Sequence, residues 1–118
     1  MEPTAPASPA ARRDPPFATR TGEPLPPSLE AFRATAMAAG FDEVLERRWA
    51  PGTVLDTHTH DFDVDAVVVG GEMWLGCQGR TEHLRTGDRF TLARNVPHDE
   101  RYGAEGAVYW VARRNARA

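Results

Sequence analysis

Lysine is absent from these 118 residues, and all 14 basic positions are arginine. That bias fits a GC-rich genome and is given no functional weight. Cysteine occurs once, at Cys77, so no internal disulfide can form and a reducing, cytoplasmic setting is expected. Long apolar runs are missing too. The longest of β type, residues 66–69, is far too short to cross a bilayer, so no membrane partner is expected. The first residues offer neither a basic n-region nor an apolar h-region, and no signal peptide is expected. A net charge of −3 is not the positive field that nucleic acid or an anionic membrane attracts. No internal repeat is visible, and a chain of this length has room for one domain and one core.

What is present is unevenly distributed. Eight of the ten prolines fall within residues 1–27, interleaved with Ala, Thr and Ser. Such a segment can neither build a ladder nor bury much apolar surface, so residues 1–27 read as a disordered arm ahead of a single domain at 28–118. Ser28 then offers an N-cap, and Glu30 sits where the helix dipole favours an anion. Leu29, Phe32 and Ala36 recur at helical spacing and Gly40 supplies a left-handed stop, which predicts a short helix over 29–39. Beyond Gly40 the apolar period drops to two, with turn residues every several positions. Eight short strands are predicted, over 44–49, 53–60, 64–69, 72–78, 81–84, 89–92, 98–102 and 107–112. Without intervening helices they imply an all-β antiparallel sandwich or barrel.

Within this pattern His58 and His60 lie two apart on one predicted strand, so both imidazoles leave the same face, shared with Val54 and Asp56. Two neutral imidazoles side by side suit Fe, Mn, Ni, Zn or Cu. An exposed His-x-His can also be mere coincidence. A third histidine in a matching context argues otherwise: His98 follows Pro97, eleven residues after the start of Gly87-Asp88, where another strand begins.

These residues resemble the two motifs of the cupin superfamily. The first reads Gly52-Thr53-Val54-Leu55-Asp56-Thr57-His58-Thr59-His60, then Asp63, Val64, Asp65 and Gly70-Gly71-Glu72. The second runs from Gly87-Asp88 to Asn95-Val96-Pro97-His98, with Asn95 at the turn glycine and Ala93 at the turn proline. The core motifs thus span 51–72 and 87–98, and the likeness covers roughly 41–112. It implies an antiparallel double-stranded β-helix, the cupin jelly roll, with one short N-terminal helix.

By this resemblance His58, His60 and His98 take the places of the family's metal-binding histidines, holding a divalent transition metal. The usual glutamate position carries Val64, which cannot ligate. Three histidines completed by water are therefore expected, with Asp63 the tentative carboxylate if one binds and Asp65 the alternative. His83 is read as a surface or packing residue and Cys77 as a buried inert thiol. Trp49, Trp74, Tyr109 and Trp110 are read mainly as packing, and Arg89 and Arg101 as solvated arginines within reach of an anionic substrate. The resemblance implies a small-molecule ligand or substrate and a metalloenzyme of dioxygenase, isomerase or lyase type. A ligand- or metal-sensing module without turnover is the alternative. Leu45 and Trp49, on one face of the first predicted strand, are large residues to leave uncovered. They and the family's pairing habit point to a homodimer.

Overall fold

The structure is a computed structural model that describes residues 15–116. The helix forms where its local signals lie: α1 spans Leu29–Ala38, with the Ser28 hydroxyl accepting from the Ala31 amide at 3.1 Å. It ends at Gly40, whose φ of +95° is reached without strain only by glycine.

Among the described residues, seven strands follow the chain: β1 (Phe17–Arg20), β2 (Glu43–Trp49), β3 (Val54–His58), β4 (Phe62–Cys77), β5 (Arg80–Arg85), β6 (Arg89–Leu92) and β7 (His98–Asn115). They are ordered β1-β6-β4-β7-β2, with β3 also on β7 and β5 also on β4, and all pairings are antiparallel. The result is a cupin-type barrel with one short helix.

Eight strands were expected because Gly70-Gly71 and the Gly103–Gly106 region read as turns. Instead β4 and β7 run straight through them, paired from Phe62↔Asn115 to Cys77↔His98, with register shifts on either side of Gly70-Gly71. Gly71 (φ +70°) and Gly106 (φ +73°) meet there. A Cβ on Gly71 would stand 2.1 Å from the Gly106 carbonyl oxygen, and one on Gly106 would stand 2.2 Å from that of Trp49. The glycines therefore bend two long strands at a bulge rather than ending them.

Strand parity divides the apolar residues into two cores. Val64, Ala66 and Val68 of β4, with Phe90, Leu92, Tyr109 and Val111, fill the barrel. Their alternates Val67 and Val69, with Val44 and Ala112, form an outer core beneath Phe32 and Ala36 of α1. Leu45 and Trp49 pack inward against the barrel core, so the uncovered apolar face on which the homodimer was argued is not there. Among the described residues no helix is long and apolar enough to cross a membrane.

The proline-rich arm also needs correction. Residues 1–14 lie outside the described residues, but Phe17–Arg20 is a strand, registered from Phe17↔Leu92 to Arg20↔Arg89, and the Ala93 amide donates to the Pro16 carbonyl at 2.9 Å. Proline cannot donate to a ladder but can accept, and the proline-free run 17–20 is long enough to pair. Phe17 is 2% exposed, inside the barrel core. Phe17→Ala should therefore cost about 3–4 kcal/mol of unfolding free energy, measured by urea denaturation. A cost near zero would show that β1 contributes nothing to the barrel.

Candidate metal centre

The histidines converge because β3 carries an extra residue. Leu55 is registered with Glu100 and His58 with His98, so three steps on β3 match two on β7. The bulge switches parity: Leu55 packs inward, while Val54 (60% exposed) and Asp56 face solvent, and His58 turns in. The face expected for Val54, Asp56 and His58 together is thereby broken. His60 lies beyond the end of β3, in a turn held by the Asn95 amide donating to its carbonyl at 2.6 Å. Asn95 occupies the left-handed region at φ +65°, as a substitute for the motif glycine must.

Three imidazoles meet, with ring centroids 4.4 Å apart for His58–His98, 4.7 Å for His60–His98 and 5.0 Å for His58–His60. His58 Nδ1 lies 2.7 Å from the Asp56 carbonyl and His98 Nδ1 lies 2.9 Å from that of Val96. A carbonyl only accepts, so each Nδ1 carries a proton and each Nε2 is the nitrogen turned toward the cluster. His98 is 3% exposed, and its Nε2 is buried without a hydrogen-bond partner among the described residues. Burial first, then the neighbouring His98, His58 and Arg113 charges, push the His60 pKa down to about 4 against an opposing pull from Asp61. His60 is thus neutral at pH 7, with its ring stacked on Phe62 at 4.8 Å.

A fourth group completes the cluster. Glu100, 6% exposed, places Oε2 3.1 Å from His58 Nε2 and 3.6 Å from His98 Nε2. One donor atom from each of His58, His60, His98 and Glu100 lies within 4.8 Å of the others. Glu100 Oε1 accepts from the Tyr102 hydroxyl. That phenol is pushed far up by burial, then by Tyr109 and the Glu100 charge, so it stays protonated and donates. Its ring stacks on Trp49 at 5.2 Å.

A buried imidazole nitrogen without a hydrogen-bond partner among the described residues, beside a buried carboxylate and two further imidazoles, is a donor set that fits a divalent transition metal. Glu100 was legible as His98-x-Glu100, two residues on and therefore on the face of His98. The resemblance places its carboxylate in the first motif, whereas Glu100 follows the second.

The carboxylates proposed there are committed elsewhere. Asp63 Oδ2 pairs with Arg94 Nη2 at 3.0 Å and Oδ1 accepts from the Arg94 amide at 2.8 Å; Asp65 Oδ1 lies 3.5 Å from Arg89 Nη2. Val64, at the usual glutamate position, is buried core. His83 stands apart, pairing with Glu72 at 2.6 Å and stacked on Trp74 at 4.5 Å. Arg101 covers Trp74, and the buried Cys77 thiol is pushed up by desolvation.

A sequence profile of the AraC-like ligand binding domain matches residues 40–116. The chain belongs to that family. Comparison with curated proteins gives no match. Among solved structures, this cupin domain is similar to YcfD, a ribosomal oxygenase from Escherichia coli, at 18% identity and TM-score 0.66 over 76% of the chain. It is also similar to an RmlC-like cupin from Shewanella frigidimarina, at 23% identity and TM-score 0.56 over 63% of the chain. A third similar structure is Bacillus subtilis oxalate decarboxylase, whose Mn(II) centres have been studied, at 22% identity and TM-score 0.55 over 61%. The chain spans 28%, 66% and 20% of those proteins respectively, and at such identities the likeness is one of fold.

The Asp63–Arg94 pair gives a pH signature separate from the cluster. Burial alone would raise the Asp63 carboxyl, but the Arg94 hydrogen bonds and charge outweigh it and hold the group below its ordinary 3.8. A depressed folded-state pKa stabilises the fold above the ordinary value and loses that contribution as pH falls through the folded one. Asp63→Asn should lower the unfolding midpoint at pH 7 and leave metal content unchanged, with the deficit closing as pH falls below the ordinary carboxyl value and through the depressed folded one. A deficit independent of pH would mean that the charge is not what Asp63 contributes.

Proposed function

We propose that this cupin domain binds one divalent transition metal through His58, His60, His98 and Glu100 and acts there on a small molecule as a metalloenzyme of dioxygenase, isomerase or lyase type. The observation that carries the reading is the buried, unpartnered His98 Nε2 facing Glu100 and the other imidazoles. When bound, such an ion would supply Lewis-acid polarisation and a template for substrate oxygens. The protein's own part is to fix the donors. The Asp56 and Val96 carbonyls set the tautomers of His58 and His98, Tyr102 orients the Glu100 carboxylate, and Phe62 holds the His60 ring. The likeness to an oxygenase and to a manganese-containing decarboxylase supports the reading at the level of fold.

The second reading is a ligand-sensing module without turnover, and the match to a ligand-binding domain favours it. Metal analysis of the purified chain, followed by oxygen uptake and product assays on metal-loaded protein with small-molecule panels, separates the two. Saturable binding without turnover selects the sensor.

His98→Ala and Glu100→Ala should each weaken metal binding by at least about tenfold, as deletion of one of few donors does, whereas His83→Ala should leave it unchanged. Equal metal content in the His98→Ala variant and the unaltered chain would overturn the assignment. Tyr102→Phe keeps the ring on Trp49 and removes only the hydroxyl. It should weaken metal binding about tenfold with little change in fold by circular dichroism. Unchanged affinity would show that Glu100 needs no orienting partner.

A further inference from the structure

The bend at Gly71 and Gly106 leaves the barrel with an open side. β4 takes one edge of β7 from end to end, and β2 and β3 share the other edge, β2 against residues 107–113 and β3 against residues 98–101. These two strands therefore stand on either side of the bend, as the lips of the opening. β3 presents His58 to it. On β2, Leu45, Arg47 and Trp49 are half-buried while Glu46 and Arg48 are exposed, so Arg47 projects inward, in register with the barrel residue Tyr109. Its neighbour Arg48 pairs with Glu46 at 2.6 Å on the outer face, and Arg113, which also faces inward, lies 3.8 Å from Glu43. Arg47 has no hydrogen bond or ion pair among the described residues, and none of its nitrogens is sealed from solvent. Its guanidinium lies over the Trp49 ring, 4.8 Å from the centroid, and Trp49 stacks in turn on Tyr102, which donates to Glu100. Burial first, then the Glu100 charge, push the Tyr109 phenol up, with the Arg47 charge among the opposing pulls; carboxylate and guanidinium are thus both within electrostatic reach of one hydroxyl. Arg89 and Arg101, the arginines expected near an anionic substrate, stand outside the barrel instead, over Phe32 and Trp74.

We infer that the small molecule taken at this opening carries a carboxylate, and that Arg47 is the residue that selects it. The inference rests on the metal reading of the cluster and adds the class of ligand. Stacking on an indole occupies the face of a guanidinium and leaves its edge, where the N–H groups lie, free for a planar two-oxygen partner. Held in one plane, Arg47 can make two parallel charge-assisted hydrogen bonds with little further ordering. A cationic ligand would meet an uncompensated positive charge. A neutral one would strip water from Arg47 and give it no counter-charge. Arg47 supplies a single charge, which suits a carboxylate rather than a doubly charged phosphate. With Glu100 as the carboxylate of the cluster, a bound divalent ion leaves the cluster net positive as well, so both sides of the opening favour an anion.

The test uses the full chain, isotope-labelled and supplied with Zn²⁺, titrated with propionate, its neutral isostere propionamide, and inorganic phosphate. Propionate should move the Arg47 Nε–H and Trp49 indole signals saturably at millimolar concentration, about tenfold more tightly than propionamide and more tightly than phosphate. Arg47→Gln should weaken propionate by about tenfold and leave both propionamide binding and zinc content unchanged. Arg47→Lys keeps the charge without the planar fork and should recover only part of that loss. Unchanged propionate affinity in an Arg47→Gln variant whose spectrum shows it folded would overturn the inference, because the carboxylate would then be held elsewhere, on the zinc for instance. So would equal affinity for propionate and propionamide, or phosphate binding more tightly than propionate. Full recovery by lysine would overturn the two-oxygen seating on which the choice of carboxylate stands. Zinc content is measured on the same samples. Its absence would count against the metal reading, whereas the response of propionate to Arg47→Gln decides the carboxylate.

Discussion

The pairing of β4 with β7 is the interaction on which the other elements depend. The two strands stay registered from Phe62↔Asn115 to Cys77↔His98, and every other strand pairs with one or other of them, except β1, which reaches β4 through β6. A straight ribbon of that length would leave two faces to cover and could not enclose a core. The bend at Gly71 and Gly106, where a side chain on either would overlap a carbonyl oxygen, lets one ribbon contribute to both walls of a barrel. It also sets the position of the chemistry. His98 and Glu100 open β7 opposite the end of β4, and β3 joins the same stretch of β7, so three histidines and a carboxylate meet at one end while aliphatic and aromatic residues fill the rest.

That arrangement concentrates ionisable groups in a small volume. Glu100 is buried, and its Oε2 faces the ε nitrogens of two imidazoles whose Nδ1 atoms are tied to backbone carbonyls. Burial removes the water that would otherwise solvate these groups, so each polar atom needs a partner within the cluster. The Tyr102 hydroxyl satisfies one oxygen only. A cation among these atoms would give the unpartnered His98 Nε2 a partner and the buried carboxylate a counter-charge, which is why the residues read as coherent around a metal.

How much of this was legible in the sequence follows the range of the interactions that decide it. The helix rests on a local cap and a local glycine, and it starts at Leu29 and ends within a residue of expectation. The three histidines sit in motifs whose spacing is itself local, and they do come together. The misread features depend on partners far along the chain. Gly70-Gly71 reads as a turn until β7 is seen to carry the ladder past it, and Phe17 reads as part of a loose arm until β6 offers an edge. The extra residue of β3 is likewise invisible until Leu55 and His58 are set against Glu100 and His98.

The fourth position of the cluster shows the same logic at a single site. Along the front half of β4, Phe62, Val64, Ala66 and Val68 point into the barrel, and no register shift interrupts residues 62–68 against β7. Asp63 and Asp65 are therefore held to the outer face by period two, where they pair with Arg94 and Arg89. With Val64 filling the inward position, a carboxylate for the cluster must come from another strand. The face of His98 on β7 repeats at Glu100, beside the bulge that turns His58 inward. The parity that excludes Asp65 from the cluster also sets it beside Arg89 under α1. One alternation thus accounts for both the composition of the inner centre and the Asp65–Arg89 ion pair in the outer core.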